Sequence, residues 1–265
     1  MKRKIHILGI VNLTDDSYYA PSRVQSQVAF LDRVGKMVSE GMDVLDIGAC
    51  STRPGAVSVG PDEEWKRINT ALGVLREAFP NLPVSIDTYW ASVVARVYDS
   101  IGPFIVNDIS AGALDPAMLP LAGRLGLPFI AMHMRGTPET MQSLTDYPDG
   151  VTAEVIRYFQ DFARRAADAG VQDWILDPGF GFAKTVRQNW TLLEEMDRMQ
   201  VLGREILVGI SRKSMIYKRF GITPEEALPA TQVAHLMALE RGATWLRVHD
   251  VAEARRTVSI FERDF

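Results

Sequence analysis

The stretch Pro83–Asp108, PVSIDTYWASVVARVYDSIGPFIVND, carries the pattern on which the fold turns. A short apolar run, Pro83 to Ile86, ends in Asp87. A helical segment, Ala91 to Ser100, follows, and then a second short run, Phe104 to Val106, ends in Asn107 and Asp108. Apolar runs of this length without strict alternation are what parallel strands covered on both faces display.

The same alternation extends in both directions. Toward the N-terminus lie a strand at Ile5 to Val11, a helix at Val24 to Glu40 and a strand at Val44 to Ile47. A helix at Pro61 to Phe79 opens with proline and acids, as helix starts do. Toward the C-terminus the predicted helices are Pro116 to Arg124, Val151 to Ala169, Asn189 to Gln200, Pro224 to Arg241 and Val251 to Glu262. The strands between them are Leu127 to Ala131, Trp174 to Leu176, Ile206 to Val208 and Trp245 to Val248. Such a series builds either a closed (β/α)8 barrel or a doubly wound sheet. The eightfold count favours a TIM barrel, and so does the missing glycine fingerprint after the first strand. A single α/β domain over residues 1–265 is expected.

The bulk properties agree. The chain has 265 residues, close to the roughly 250 of a typical single-domain barrel. Hydrophobic residues make up 47% of it, enough for a large core. The net charge of -4 and the absence of a basic tract argue against nucleic acid or an anionic membrane as a partner. A lone cysteine, Cys50, forms no internal disulfide and suits a cytoplasmic location. The apolar run after Met1-Lys2-Arg3-Lys4 stops at Asn12, which reads as a first strand and not as a signal peptide.

Polar residues sit where the strands end. They are Asn12, Asp46, Asp87, Asn107 with Asp108, His133, Asp177, Ser211-Arg212-Lys213, and Arg247 with His249. In a barrel these ends converge on one face, where active sites lie. Short polar residues at strand ends also cap the next helix, and Asp108 is expected to point away and serve that purpose. Asp87, Asn107, Asp177 and Lys213 combine acceptors, an amide and a cation, the set that an amino-pyrimidinone edge requires. Carboxylates take its N–H groups, while the amide and the ammonium donate to its ring nitrogen and carbonyl. Arg53, Arg247 and His249 form a candidate cationic cluster for a di- or polyphosphate. Arg247 and His249 are two apart on one strand and share a side. The competing reading of Arg247 is a surface arginine near Asp250 and Glu253. Ser211 and Ser214 flank a candidate helix start, either as anion site or as simple caps. Phe182, in the turn Asp177-Pro178-Gly179-Phe180-Gly181-Phe182, either stacks on a flat ring or fills the barrel mouth. His133 is expected to be a satisfied strand-end histidine, and the chain's four histidines show no zinc spacing.

These residues fall in motifs that, in order and over essentially the whole chain, resemble the dihydropteroate synthases. The motifs are Gly9-Ile10-Val11-Asn12-Leu13-Thr14 with Asp16-Ser17, Asp46-Ile47-Gly48 with Ser51-Thr52-Arg53-Pro54-Gly55, Ser85-Ile86-Asp87-Thr88 and Asn107-Asp108-Ile109-Ser110. Met132-His133-Met134, Asp177 to Phe182, Ser211-Arg212-Lys213-Ser214 and Arg247-Val248-His249-Asp250 continue the match. The resemblance implies a barrel, usually dimeric, that joins 6-hydroxymethyl-7,8-dihydropterin diphosphate to 4-aminobenzoate and is a sulfonamide target. It implies that Asp87, Asn107, Asp177 and Lys213 hold the pterin, and that Arg53, Arg247 and His249 hold the diphosphate. Asn12 would ligate Mg²⁺. Thr52, Pro54 and Ser211 would bound the aminobenzoate site, with Phe182 beside it. By the same carry-over, Asp87, Lys213, Arg247 and His249 carry the catalysis.

The chain departs from the family pattern at Asp15, at Ala20-Pro21-Ser22-Arg23, at Cys50 and at Ala183. Two alternatives share the barrel: a methyltransferase acting from methyltetrahydrofolate to a corrinoid protein, and a non-catalytic pterin-binding paralogue.

Overall fold

The computed structural model describes residues 4–13, 23–49 and 59–263. Eight parallel strands alternate with helices. The first half runs β1 (His6–Asn12), α1 (Arg23–Ser39), β2 (Val44–Gly48), α2 (Pro61–Ala78), β3 (Val84–Asp87), α3 (Ala91–Ile101), β4 (Ile105–Asp108) and α4 (Met118–Leu125). The second half runs β5 (Phe129–Met132), α5 (Val151–Asp168), β6 (Trp174–Asp177), α6 (Val186–Glu194), β7 (Leu207–Val208), α7 (Ser214–Phe220), α8 (Leu228–Glu240), β8 (Trp245–Val248) and α9 (Val251–Glu262). The strands are hydrogen-bonded in the order β6-β5-β4-β3-β2-β1-β8-β7. A parallel bridge between Leu176 and Ile206 joins the two edges and closes the barrel. The expected TIM barrel is therefore present as a single domain.

The strand parity divides inside from outside. Leu8, Val44, Ile130, Ile175, Leu207 and Trp245 form a cluster of their own, with Ile105 packed against it. The residues between them, such as Ile7, Leu45, Ala131, Leu176 and Leu246, join the large core under the helices. The small cluster is thus the plug inside the barrel, and His6 stacks on Trp245 there at 4.3 Å. Two residues further along each strand, on the same inward side, come Ile10, Asp46, Asn107, Met132, Asp177 and Arg247. The interior therefore changes from aliphatic to polar within one step toward the C-terminal mouth.

Local chemistry explains most element ends. Pro61 starts α2, and Asp62, Glu63 and Glu64 fill its first turn, where acids favour the helix dipole. Thr185 and Gln188 form a reciprocal capping box on α6. The amide of Ala91 at the start of α3 is satisfied by the Asp115 carboxylate at 2.8 Å, from a loop beyond the next strand. Two predicted helices needed correction. The segment Asn189 to Gln200 is not one helix: α6 ends at Glu194 and a 3-10 helix, Met196–Leu202, follows. The helix predicted from Pro224 begins instead at Leu228, because Pro229 has no N–H to donate and is tolerated only in a first turn.

Candidate active site

The inward polar residues meet at the mouth of the barrel. Arg247 on β8 reaches across to β2 and β3. Its Nε donates to Asp46 Oδ2 at 2.7 Å, and its Nη2 lies 2.6 Å from that same oxygen. Nη2 also donates to Asp87 Oδ2 at 2.7 Å. Asp46 is fully buried, while Asp87 keeps an exposed edge. Burial pushes the Asp87 carboxyl up to about 7, against the opposing pull of Arg247. Burial pulls the Arg247 pKa down, but Asp46 and Asp87 outweigh it and the net shift is upward, so the group stays charged.

The Asn107 amide donates through Nδ2 to both oxygens of Asp46, at 3.2 and 3.4 Å. A carboxylate only accepts, so the amide orientation is fixed: nitrogen toward Asp46 and carbonyl away from it. The carbonyl is thereby turned toward the mouth as an acceptor, and the amide nitrogen keeps a second N–H for the expected donor role.

Asp177 is buried at the end of β6. Its Oδ1 accepts from the Gly179 amide at 2.8 Å, which fixes the rotamer. Burial raises its pKa, and Lys213 opposes the shift most strongly. Lys213 donates to the Phe180 carbonyl at 2.6 Å and sits 4.8 Å from the centre of the Phe182 ring. Burial lowers its ammonium to about 8. Phe182 is half-buried against an apolar wall of Ile109, Met132, Met134, Met141 and Ala183. It both packs and presents a face, so neither sequence reading excludes the other.

Glycines show how closely the mouth is drawn together. A side chain at Gly48 would meet Asn12 Oδ1 at 3.3 Å and Asp87 Oδ2 at 3.6 Å. One at Gly209 would meet Arg247 Cβ and Lys213 Nζ, each at 3.8 Å. At Gly179, with φ +70°, an added Cβ would stand 2.0 Å from the His133 carbonyl, so only glycine fits that turn.

His249 and Arg247 share the inward side but not a partner. Ser211 Oγ accepts from the His249 backbone N–H at 3.3 Å and lies 3.0 Å from Nδ1. Burial first, and Arg247 second, lower the imidazole to about 4. The ring is therefore neutral. Where Nδ1 accepts from the serine hydroxyl, the proton sits on Nε2 and that N–H is free to donate. Of the expected cluster, Arg53 lies outside the described residues, Arg247 is held between two carboxylates and the His249 ring is neutral. An NMR pH titration should show this ring titrating near pH 4. The unfolded chain takes the same proton near 6.5. The contribution of His249 to stability is thus full above that value and lost as pH falls toward 4. A resonance titrating near 6.5 would contradict the assignment.

Other expectations resolve as follows. Asp108 turns back to accept from the Ser110 amide, the Ser110 hydroxyl and the Gly112 amide. It therefore closes the turn after β4 and does not cap α4 as expected; the α4 N-cap, Ala117, has no side-chain hydrogen bond. Asp250 pairs with Arg212 in bidentate fashion at 2.8 Å, so it does not hold Arg247 at the surface. Thr52, Arg53 and Pro54 lie outside the described residues, as do Asp15, Ala20, Pro21, Ser22 and Cys50.

Two buried residues gained no role from sequence. Asp46 was visible as an acid inside an apolar strand, which is itself a signal of a buried partner. Lys184 donates to the carbonyls of Gly179 and Phe182, at 2.9 and 3.0 Å, and sits 3.0 Å from His133 Nδ1. It pins the turn that carries Asp177 and Phe182. Burial brings its pKa down to about 7.

Beside the mouth lies a groove of about 390 Å³ lined by Arg33, Lys36, Met37, Glu40, Arg212, His249 and Asp250. Its charges are largely answered from within, by the Lys36–Glu40 and Arg212–Asp250 pairs.

A parallel barrel with such a mouth defines a pterin-binding enzyme: the family model of that description matches residues 8–249. More narrowly, the chain belongs to the dihydropteroate synthase family. It is 36% identical over 259 residues to the dihydropteroate synthase of Escherichia coli K12, covering 97% of this chain and 90% of that one. The Yersinia pestis dihydropteroate synthase, solved with a sulfonamide drug, superimposes with a TM-score of 0.89 at 33% identity, covering 98% and 94% of the two chains. The Thermus thermophilus enzyme, solved with 4-aminobenzoate, gives 0.83 at 38% identity, covering 99% and 95%. These relatives favour synthase chemistry over methyl transfer to a corrinoid protein.

Proposed function

We propose that the chain is an alkyl transferase that condenses 6-hydroxymethyl-7,8-dihydropterin diphosphate with 4-aminobenzoate, giving 7,8-dihydropteroate and diphosphate. The observation that carries this reading is the joining, at one mouth, of two unlike halves. Asp177, Asn107, Lys213 and the Phe182 face suit a flat nitrogenous ring. Arg247 and His249 suit the charged tail.

In this reading the free Asp177 oxygen and the Asn107 carbonyl accept from the pterin, and Lys213 donates to it. Buried groups of this kind discriminate sharply, since a wrong ligand leaves them unpaired. The bond from the pterin methylene to the diphosphate oxygen breaks, and positive charge spreads over the ring. The Asp87 carboxylate lies where that charge develops. The aniline nitrogen of 4-aminobenzoate then forms the new C–N bond and loses a proton to solvent. Arg247 and the Nε2–H of His249 receive the departing diphosphate. Ser211, held on His249, borders the aminobenzoate side.

Asn12 is the proposed magnesium ligand. Its Oδ1 faces the space that Gly48 leaves beside Asp87, and a single protein oxygen suits a Mg²⁺ ion held mostly by water and substrate phosphates. Bound there, Mg²⁺ would neutralise charge on the leaving diphosphate.

Pairing of two copies through α8 and α9 is also proposed. Val233 and Ile260 on these helices are each 62% exposed. Among the described residues no helix is long and apolar enough to cross a membrane.

The test is a coupled assay of diphosphate release by the purified chain with both substrates and Mg²⁺. Release that requires all three supports the reading. Pterin binding without release across a range of both substrates would leave the chain a binding module.

A further inference from the structure

Asp46 is buried more completely than the residues it contacts at the mouth. Its side chain is 0% exposed, against 13% for Asp87 and 20% for Arg247. It is therefore placed to reach a ligand only through its neighbours. Those neighbours come from two different strands and from both halves of the mouth. Arg247 is the diphosphate-side residue, and its Nε and Nη2 both rest on Asp46 Oδ2. Asn107 is a pterin-side residue, and its Nδ2 rests on both Asp46 oxygens.

The guanidinium is divided unequally between its two carboxylates. The fully buried Asp46 holds Nε and Nη2, whereas the partly exposed Asp87 holds only Nη2. A substrate that comes to Asp87 meets a carboxylate already engaged by Arg247. Releasing Nη2 from Asp87 frees that acid for the pterin cation and frees one guanidinium edge for the phosphate. Without a second anchor the long arginine side chain would be lost to solvent at that moment. The Nε contact to a fully buried carboxylate is such an anchor, and fixed dipoles and charges of this kind need no reorganisation when the reaction occurs.

We propose that Asp46 is a positioning residue for the transfer: it keeps the Arg247 guanidinium at the mouth through Nε while Nη2 passes from Asp87 to the diphosphate. By the same contact surface it turns the Asn107 carbonyl toward the pterin. The proposal rests on the reading of the substrate as a pterin diphosphate.

The experiment is a double-mutant cycle on the full chain, with Asp46→Asn, Arg247→Ala and the double variant. Calorimetry follows the binding of inorganic diphosphate with Mg²⁺, and denaturant melts run in parallel. Asp46→Asn should weaken diphosphate binding by about tenfold although Asp46 cannot touch it, and the double variant should bind no more weakly than Arg247→Ala alone, because both changes remove one interaction. The double variant should also melt above Arg247→Ala, since it no longer buries an unpaired charge. Kinetics supply a further readout: kcat should fall in Asp46→Asn with the KM for 4-aminobenzoate unchanged, a split that general loosening of the fold would not produce. Wild-type diphosphate affinity in Asp46→Asn, or additive losses in the double variant, would overturn the proposal and leave the proposed function standing. Failure of the unaltered chain to bind diphosphate at all would overturn both.

Discussion

Replacing Arg247 with alanine is expected to cost about 3–5 kcal/mol of folding stability and to abolish diphosphate release, because breaking a buried pair strands the remaining charge. The stranded group is Asp46, which has no exposed surface and keeps only the Asn107 amide among its described hydrogen-bond partners. Asp87 loses its charge partner as well, and its carboxyl, already lifted by burial, would hold its proton more firmly. Free pterin without the diphosphate should still bind, because Asp177 and Lys213 are untouched. Denaturant unfolding and steady-state turnover, measured below the lowered melting temperature, check the two halves of this expectation. Unchanged turnover would remove Arg247 from the site, and unchanged stability would show that the Asp46 pair does not form.

The second large effect is expected from Asp177→Asn. The amide preserves the shape and, through its carbonyl, still accepts from Gly179 as Oδ1 does at 2.8 Å. What changes is the other atom, which becomes an N–H₂ donor facing the N–H groups of the ligand. A carboxylate oxygen that accepts from the amino-pyrimidinone edge is replaced by an N–H₂ group that meets it donor to donor. Losing a charged hydrogen bond costs about 1.5–3 kcal/mol, and leaving a buried donor unsatisfied adds a similar amount. Pterin affinity should therefore fall by at least about a hundredfold, and stability should fall as well, since the buried Lys213 and Lys184 lose the carboxylate that stabilises their ammonium groups. Calorimetry showing normal pterin affinity would refute the assignment of Asp177.

The sequence disclosed the barrel through its strands. Runs such as Val84 to Ile86 and Trp174 to Leu176 are short, apolar and closed by an acid, and the structure places them as predicted within a residue or two. Helix ends were less legible where two signals competed. The helix was expected from Pro224, where Thr223 and Glu226 do exchange cap-like hydrogen bonds. Pro229 nevertheless delays the helix to Leu228. The mouth residues were legible because strand ends converge in this fold whatever the intervening loops do.

Their partners were not legible. Arg247 and Asp46 are 201 residues apart, and nothing local to either shows that the guanidinium crosses the barrel. For the same reason the orientation of the Asn107 amide was not legible: it depends on a carboxylate on another strand. His249 was counted as a cation from its residue type, and burial beside Arg247 makes it neutral. Lys184 illustrates the limit most plainly. Lysine is rarely buried, and its place beneath the Asp177 turn follows from carbonyls that the turn itself creates.

The central claim is that one mouth holds two halves of a single substrate. A crystal structure of the chain soaked with 6-hydroxymethyl-7,8-dihydropterin diphosphate in the absence of 4-aminobenzoate tests it most directly. The ring is expected between Asp177, Asn107 and Lys213, with the diphosphate against Arg247 and His249 and the Arg247 Nε still on Asp46. Density for the ring or the diphosphate at any other surface, with Arg247 still closed on Asp87, would contradict it.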